Sequence, residues 1–419
     1  METQHGGERH RRSRRAVALA LLLGLAACGD EQSGETAADA PLCTTAAITK
    51  GPWVTRVDER HATLFWESRD SGCVQIGIAA EAGGQEIVKV GDATPTTVTA
   101  GYDSPFPERY PADETGIFYI NEVPMADLTP GTCYAYRINA PAATTGRLCT
   151  MQPPGQPVRF LAIGDTNPAL GRTVPLLTAV LAGWQPDFIV HTGDLQYYTS
   201  LDTWQYWFAA MAPLLGAGAF LPSIGNHEDE LDGTEFADYY GRLFASPGLI
   251  GTPRYYRFSS GGVHFFALDT EAPFDADSEQ YAWFAREVAA VTAEPGFRFS
   301  VVHLHRPLYT LGDQTPLVGL RPLLSPLFES NGVRLVLQGH MHGYERFEVG
   351  DITYITTGGG GGTIQDVNAH VNDYPDDVPL RLAVAARHHA LRVTIAATLQ
   401  GAAIDQTGTI IDQFEHQVP

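Results

Sequence analysis

Five short apolar runs beyond residue 157 each end in residues that can hold a metal ion. RFLAIG (159–164) is followed by Asp165, and DFIVHTG (187–193) by Asp194 and, three positions on, Tyr197. FLPSIG (220–225) leads into Asn226, His227 and Glu228, FRFSVV (297–302) into His303 and His305, and VRLVLQG (333–339) into His340 and His342. Sites in layered α/β folds lie at the carboxyl ends of strands, so donors placed this way can converge. Either aspartate alone reads as a helix N-cap. His191 alone reads as a core histidine, and Tyr197 as the start of a packed aromatic stretch (Tyr198, Trp204, Tyr206, Trp207, Phe208). Repetition of one arrangement at five strand ends favours the metal reading. His303 and His305 share a strand face. His305 lies nearer the strand end and is the candidate ligand, while His303 reads as packing or support.

Seven donors, Asp165, Asp194, Tyr197, Asn226, His305, His340 and His342, suffice for two cations with open positions. Such a pair suits phosphate-ester hydrolysis. It lowers the pKa of bound water to ~7 and, ~3.5–4 Å apart, clamps the attacking and leaving oxygens. Asp194 has two oxygens and could bridge the ions. Tyr197 bears on the metal's identity: stripping a phenol of free pKa ~10 requires a strong Lewis acid, which points to trivalent iron at one position. No activated Ser or Cys lies in these motifs, so the expected reaction is in-line attack by a metal-activated hydroxide, without a covalent enzyme intermediate.

The elements that must position these donors belong to a chain of 419 residues, 44% hydrophobic and 18% charged. That composition buries a large core and excludes a disordered chain; the length fits two or three domains. Lys+Arg is 27 against Asp+Glu 48, a net charge of −21 that argues against a nucleic-acid partner. Residues 9–15 (RHRRSRR) and the apolar run 16–27 (AVALALLLGLAA) form an export signal, too short for the ~20 residues of a spanning helix. LAAC resembles a bacterial lipobox, which implies residues 1–28 as signal and a lipid anchor on Cys28; SRRAV resembles a twin-arginine signal. The alternative is a plain cleaved signal. The expected location is the bacterial cell envelope, facing the periplasm or the cell surface, or outside the cell, with the lipid as the sole membrane contact. Without residues 1–27 there are 22 basic and 46 acidic residues, a net charge of −24. Residues 29–45 read as a flexible tether.

Residues 46–152 carry short β-rich runs (HATLFWES, CVQIGIA, TCYAYRI, RLCTM) and read as an all-β sandwich. LTPGTCYAYRI (128–138) resembles the late turn and strand of fibronectin type III domains. QPPGQP (152–157) reads as a Pro/Gly hinge. From 157 to 419, strands alternate with helices near 172–183, 278–292 and 319–329, an α/β (βαβαβ) layered domain. Export permits disulfides, and Cys43, Cys73, Cys133 and Cys149 allow three pairings without CxxC units for zinc. The expected hairpin near 141–146 favours Cys133 with Cys149, which leaves Cys43 with Cys73. The five-glycine run 358–362 reads either as pocket lining or as a plain turn, Glu345 and Arg346 as structural contacts, and His388 and His389 as surface or supporting residues.

The ordered motifs GDTN (164–167), GDLQY (193–197), GNHE (225–228), HRP (305–307) and GHMHGYER (339–346) resemble the purple acid phosphatases of the calcineurin-like metallophosphoesterase superfamily. The likeness covers residues 46–415 and implies a two-sheet metallophosphoesterase domain behind a fibronectin-like one. It implies Asp165, Tyr197 and His342 on Fe(III), Asp194 bridging, and Asn226, His305 and His340 on a divalent ion (Fe, Zn or Mn). His227 would face the substrate, a small phosphate monoester, and assist the leaving group. Two departures stand out: Asn167 takes the third place of the first motif, and residues 308–321 lack the substrate-side histidine of the plant and animal enzymes. The rival readings are a phosphodiesterase or nucleotidase of the same superfamily and a non-catalytic surface-binding lipoprotein.

Overall fold

The computed structural model describes residues 42–98, 116–142, 144–197, 201–229, 240–244 and 250–419. The export signal, Cys28 and most of the expected tether lie outside them. Residues Ala38–Pro419 form one compact unit. No helix among the described residues is long and apolar enough to cross a membrane.

Eight strands come first: β1 (Ile48–Thr55), β2 (Ala62–Ser68), β3 (Gln75–Ala80), β4 (Ile87–Val90), β5 (Asp92–Val98), β6 (Gly116–Met125), β7 (Cys133–Ile138) and β8 (Thr144–Cys149). They make two antiparallel four-stranded sheets, ordered β1-β2-β6-β5 and β4-β3-β7-β8. Strand β7 shows why: Tyr134, Tyr136 and Ile138 are buried and alternate with partly or fully exposed residues, the period of a half-buried strand. Cys133 faces Cys149 across the β7–β8 hairpin and is bonded to it, and Cys43 is bonded to Cys73. Leu42 is buried and Thr45 N–H donates to Asn139 O at 2.9 Å, so the end of the expected tether packs on the sandwich.

The second part stacks two mixed sheets. The first contains β9 (Val158–Ile163), β10 (Phe188–His191) and β11 (Ala219–Pro222), all parallel. The second contains β12 (Ile250–Gly251), β13 (Tyr256–Ser260), β14 (Val263–Ala267), β15 (Phe299–His303), β16 (Val333–Gln338), β17 (Tyr344–Val349), β18 (Ile352–Thr357) and β19 (Arg381–Ala385), in the order β12-β13-β14-β15-β16-β18-β17-β19. The chain then returns to the first sheet as β20 (His389–Ile395), β21 (Thr398–Asp405) and β22 (Ile410–Gln417), giving β11-β10-β9-β20-β21-β22. Strands β9, β10, β11, β14, β15 and β16 read as near-continuous apolar runs because both faces are covered. Between the sheets Phe160 and Phe188 stack at 5.4 Å, and Phe258 and Phe265 meet them edge-on at 5.2–5.3 Å. On the outer faces, α1 (Thr173–Leu181) and α2 (Leu201–Leu215) cover the first sheet. A helical turn α3 (Asn226–Asp229) follows β11. The second sheet is covered by α4 (Glu279–Val291), capped by Ser278 Oγ accepting from Tyr281 N–H, and by α5 (Arg321–Ser330).

The expected hinge at 152–157 is tied down instead. Gln152 N–H donates to Ser260 Oγ at 3.0 Å and Gly155 N–H to Gly261 O at 3.2 Å, so the amides around the prolines are held by the turn after β13. Across the same junction, the buried Trp53 of β1 packs on Phe208 and Phe244, with ring centroids 5.1 and 6.1 Å away. Nearby, Glu67 is fully buried, with Lys50 and Thr49 on one oxygen and Arg242 on the other.

Three buried histidines that are not themselves strand-end donors set an acid limit on the fold. Burial pulls His191 down to about 3 and His389 to about 4, and burial with Arg257 pulls His264 to about 4. Each folded pKa lies below the unfolded value of 6.5, so the unfolded chain binds more protons in between. Their stabilisation is present above pH 6.5 and lost as pH falls, about 2 kcal/mol each by pH 5. A Tm that drops steadily from pH 7.5 to 5 is expected; a flat profile contradicts it.

Candidate metal centre

All the strand-end donors lie at the carboxyl edge of the two sheets. Asp165 follows β9, Asp194 and Tyr197 follow β10, Asn226 and His227 follow β11, His305 follows β15, and His340 and His342 follow β16. Asp165, Asp194 and His340 all have left-handed backbones, with φ of 57°, 52° and 68°. Such turns are unfavourable for side chains other than glycine, asparagine and aspartate, and they collect at functional sites. Close approach explains the glycines. A Cβ on Gly225 would overlap Asp194 Oδ1, and one on Gly362 would sit 2.7 Å from the His342 ring. The glycine run 358–362 therefore lines the centre, and Gly362 N–H donates to Asp165 O at 3.0 Å.

Two touching clusters result. In one, Tyr197 OH donates to His342 Nε2 at 2.8 Å and lies 3.5 Å from Asp165 Oδ1, while His342 Nε2 is 3.4 Å from the same oxygen. In the other, His305 Nε2 lies 3.0 Å from Asn226 Oδ1 and 3.3 Å from Asp194 Oδ1. Asp194, His305 and His340 offer ligand atoms within 4.8 Å of one another. The His340 N–H donates to both oxygens of Asp165 at 3.0 Å, which joins the clusters. Cys133, Cys149 and Asp187 also converge, but both sulfurs are in a disulfide.

The histidines are oriented from behind. His305 Nδ1–H donates to Thr192 O at 2.9 Å and His342 Nδ1–H to Thr363 O at 2.8 Å, which turns each Nε2 toward the donors. Outer hydrogen bonds of this kind fix the tautomer of a metal-binding imidazole. Glu228 performs a related task for the backbone. Its carboxylate accepts from the N–H groups of Asp194, Leu195 and Gly225 at 2.8–2.9 Å, tying the loop after β10 to the loop after β11.

The pocket favours positive charge. Burial opposes a charged His305, but the Asp194 carboxylate outweighs it and lifts the imidazole to about 10. Burial likewise opposes ionisation of Asp194, yet His305 and His227 hold its carboxyl below the ordinary range. Burial, then Asp165, Asp194 and Glu228, pushes the Tyr197 phenol well above 10. Hard oxygen donors, imidazoles with Nε2 turned inward and buried excess carboxylate fit cations. A phenolate here requires a highly charged one.

His303 turns away from the donors, with Nδ1 2.7 Å from Ser223 Oγ, and His191 bonds Thr166 at 3.1 Å in the core. His389 is fully buried against Tyr344 rather than on the surface, because β20 runs inside the first sheet. Glu345 accepts from Thr310, Leu311 and Arg381, and Arg346 grips Asp412. Glu271 went unread in the sequence. It follows β14 as the donors follow their strands, so the same strand-end rule finds it.

Residues 158–344 match the family described as calcineurin-like phosphoesterase. They form a calcineurin-like phosphoesterase domain. Proteins of this superfamily generally bind two metal ions. Among curated relatives, probable purple acid phosphatase 20 of Arabidopsis thaliana is 27% identical over 240 residues, covering 54% of this chain and 55% of its own length. Purple acid phosphatase 15 of the same plant is 27% identical over 328 residues, covering 65% and 60%. An uncharacterized Mycobacterium tuberculosis protein is 29% identical over 267 residues, covering 54% and 50%. The chain thus spans only 50% to 60% of the length of these relatives. Among solved structures, a purple acid phosphatase from yellow lupin (Lupinus luteus) seeds superposes with a TM-score of 0.70 at 17% identity, over 87% of this chain and 74% of that one. The structure of PhoD gives 0.59 at 11% identity over 90% of each. Both share the fold.

Proposed function

We propose that this chain is a binuclear-metal phosphoesterase of the acid phosphatase type that hydrolyses phosphate monoesters, with a fibronectin type III-like sandwich ahead of its catalytic part. We further propose that it is exported and lipid-anchored through Cys28. The reading rests on one observation above the others: Asp194 Oδ1 lies 3.3 Å from His305 Nε2, while the Asp165–Tyr197–His342 cluster is linked to the same group through His340. Asp165, Tyr197 and His342 would hold a ferric ion, Asn226, His305 and His340 a divalent one, and Asp194 both.

Bound there, the two ions would lower the pKa of water toward ~7 and offset charge on the phosphate oxygens. The side chains of this protein do the rest. His227 packs on Tyr197 with the rings tilted and centroids 4.2 Å apart, its Nε2 is 3.9 Å from Asp194 Oδ2, and its side chain is 29% exposed. It can meet a leaving oxygen from the solvent side and hand it a proton, worth ~10²–10⁴-fold. Glu228 keeps the Asp194 and Asn226 loops in register, so positioning precedes substrate binding.

Elemental analysis beside an assay on p-nitrophenyl phosphate tests this. Two metal ions per chain, turnover that disappears on chelation, and a visible tyrosinate-to-iron absorption that Tyr197→Phe bleaches are expected. Full turnover by metal-free protein overturns the reading; full turnover by a colourless metal-loaded protein removes the ferric assignment.

A further inference from the structure

One guanidinium reaches into the second cluster without belonging to it. Arg306, between His305 and Pro307, sends Nη1 to within 3.0 Å of His340 Nε2. Its direction is fixed from behind: Nε lies 3.0 and 2.9 Å from the two oxygens of Glu271, whose own side chain is only 7% exposed. The Arg306 N–H also donates to Thr270 Oγ1 at 3.0 Å, fixing the backbone next to the loop that carries Glu271. With Nε held, the Nη end points forward. Nη2 has no hydrogen-bond partner among the described residues, and the side chain is 34% exposed, so one face stays open to solvent. The segment that follows supplies no competing cation. Its one basic residue up to position 321 is Arg321, which pairs with Asp377 and Leu308 O instead.

We propose that Arg306, held by Glu271, contacts a non-bridging oxygen of the substrate phosphate and sets a preference for dianionic monoesters over monoanionic diesters. This rests on the phosphoesterase reading above. A planar guanidinium can pair with two oxygens of one phosphoryl group. A monoester offers three terminal oxygens and two charges; a diester offers two oxygens and one charge. A fixed cation beside the site therefore favours the monoester.

The test uses the full chain loaded with metal and three variants, Arg306→Ala, Arg306→Lys and Glu271→Gln. Substrates are p-nitrophenyl phosphate and bis-(p-nitrophenyl) phosphate, and inorganic phosphate binding is followed by calorimetry. For Arg306→Ala, KM for the monoester and the dissociation constant for phosphate both rise about 10- to 100-fold, the range of a charge-assisted hydrogen bond. The diester constant changes little, and both metal ions stay bound. Arg306→Lys recovers part of the phosphate affinity, and Glu271→Gln loses part of it. Equal losses on both esters, unchanged phosphate affinity, or loss of metal from Arg306→Ala each overturn the assignment. If the wild type binds two metals yet hydrolyses neither ester, the phosphoesterase reading fails, and the phosphate titration alone still decides the role of Arg306.

Discussion

Replacing Asp194 by asparagine is expected to lower kcat on a monoester by about 10²–10³-fold, the scale on which one aimed electrostatic group acts, and to deplete both metal ions. Its carboxylate approaches the imidazoles of His305 and His227, at 3.3 and 3.9 Å. Asparagine keeps the shape and can still accept the His227 N–H, now 3.0 Å from Oδ1, so the loop should keep its course. What disappears is the charge and a second equivalent oxygen. His340→Ala should differ in kind, removing a ligand from the divalent position while Asp165, Tyr197 and His342 remain. Metal content measured beside turnover separates the two. An Asp194→Asn protein with both ions and full activity removes the bridging assignment.

The second large effect is on stability. Glu67→Ala strips a fully buried carboxylate from Lys50, which is 2% exposed, and from Arg242. Leaving buried cations without that carboxylate costs about 3–5 kcal/mol, or a fall of about 5 °C in Tm for a chain of this size. Because Glu67 lies on β2 and Arg242 in the helical turn at 240–243, the loss should loosen the join between sandwich and catalytic part. Glu67→Gln keeps the hydrogen bonds and should cost less. Thermal unfolding of the metal-loaded variants checks the order, and a Glu67→Ala protein as stable as the wild type contradicts it.

The donors could be read from sequence because covered parallel strands are apolar on both faces. Runs such as DFIVH and FRFSVV stand out, and whatever polar residue ends them is placed at the site edge. The arrangement behind the donors was not readable. Glu228 is one acid among many until three amide N–H groups are seen to converge on it. Glu271 and Arg306 are 35 residues apart and meet only because β14 and β15 are parallel neighbours. QPPGQP has the composition of a hinge, yet its amides bond Ser260 and Gly261, a partner no local pattern encodes. The glycine run became informative only once His342 was seen against Gly362.

The left-handed turns at Asp165, Asp194 and His340 bear on how the protein would respond to selection for heat resistance alone. A glycine relieves backbone strain of about 1–2 kcal/mol at His340, where φ is 68°, and less at the two aspartates, which tolerate the left-handed region. It also thins the crowd of like charges formed by Asp165 and Asp194. A library screened only for survival on heating should therefore drift toward glycine at these three positions, yielding sturdier proteins that have forfeited their chemistry. Any thermostabilisation of this scaffold has to be selected on turnover as well.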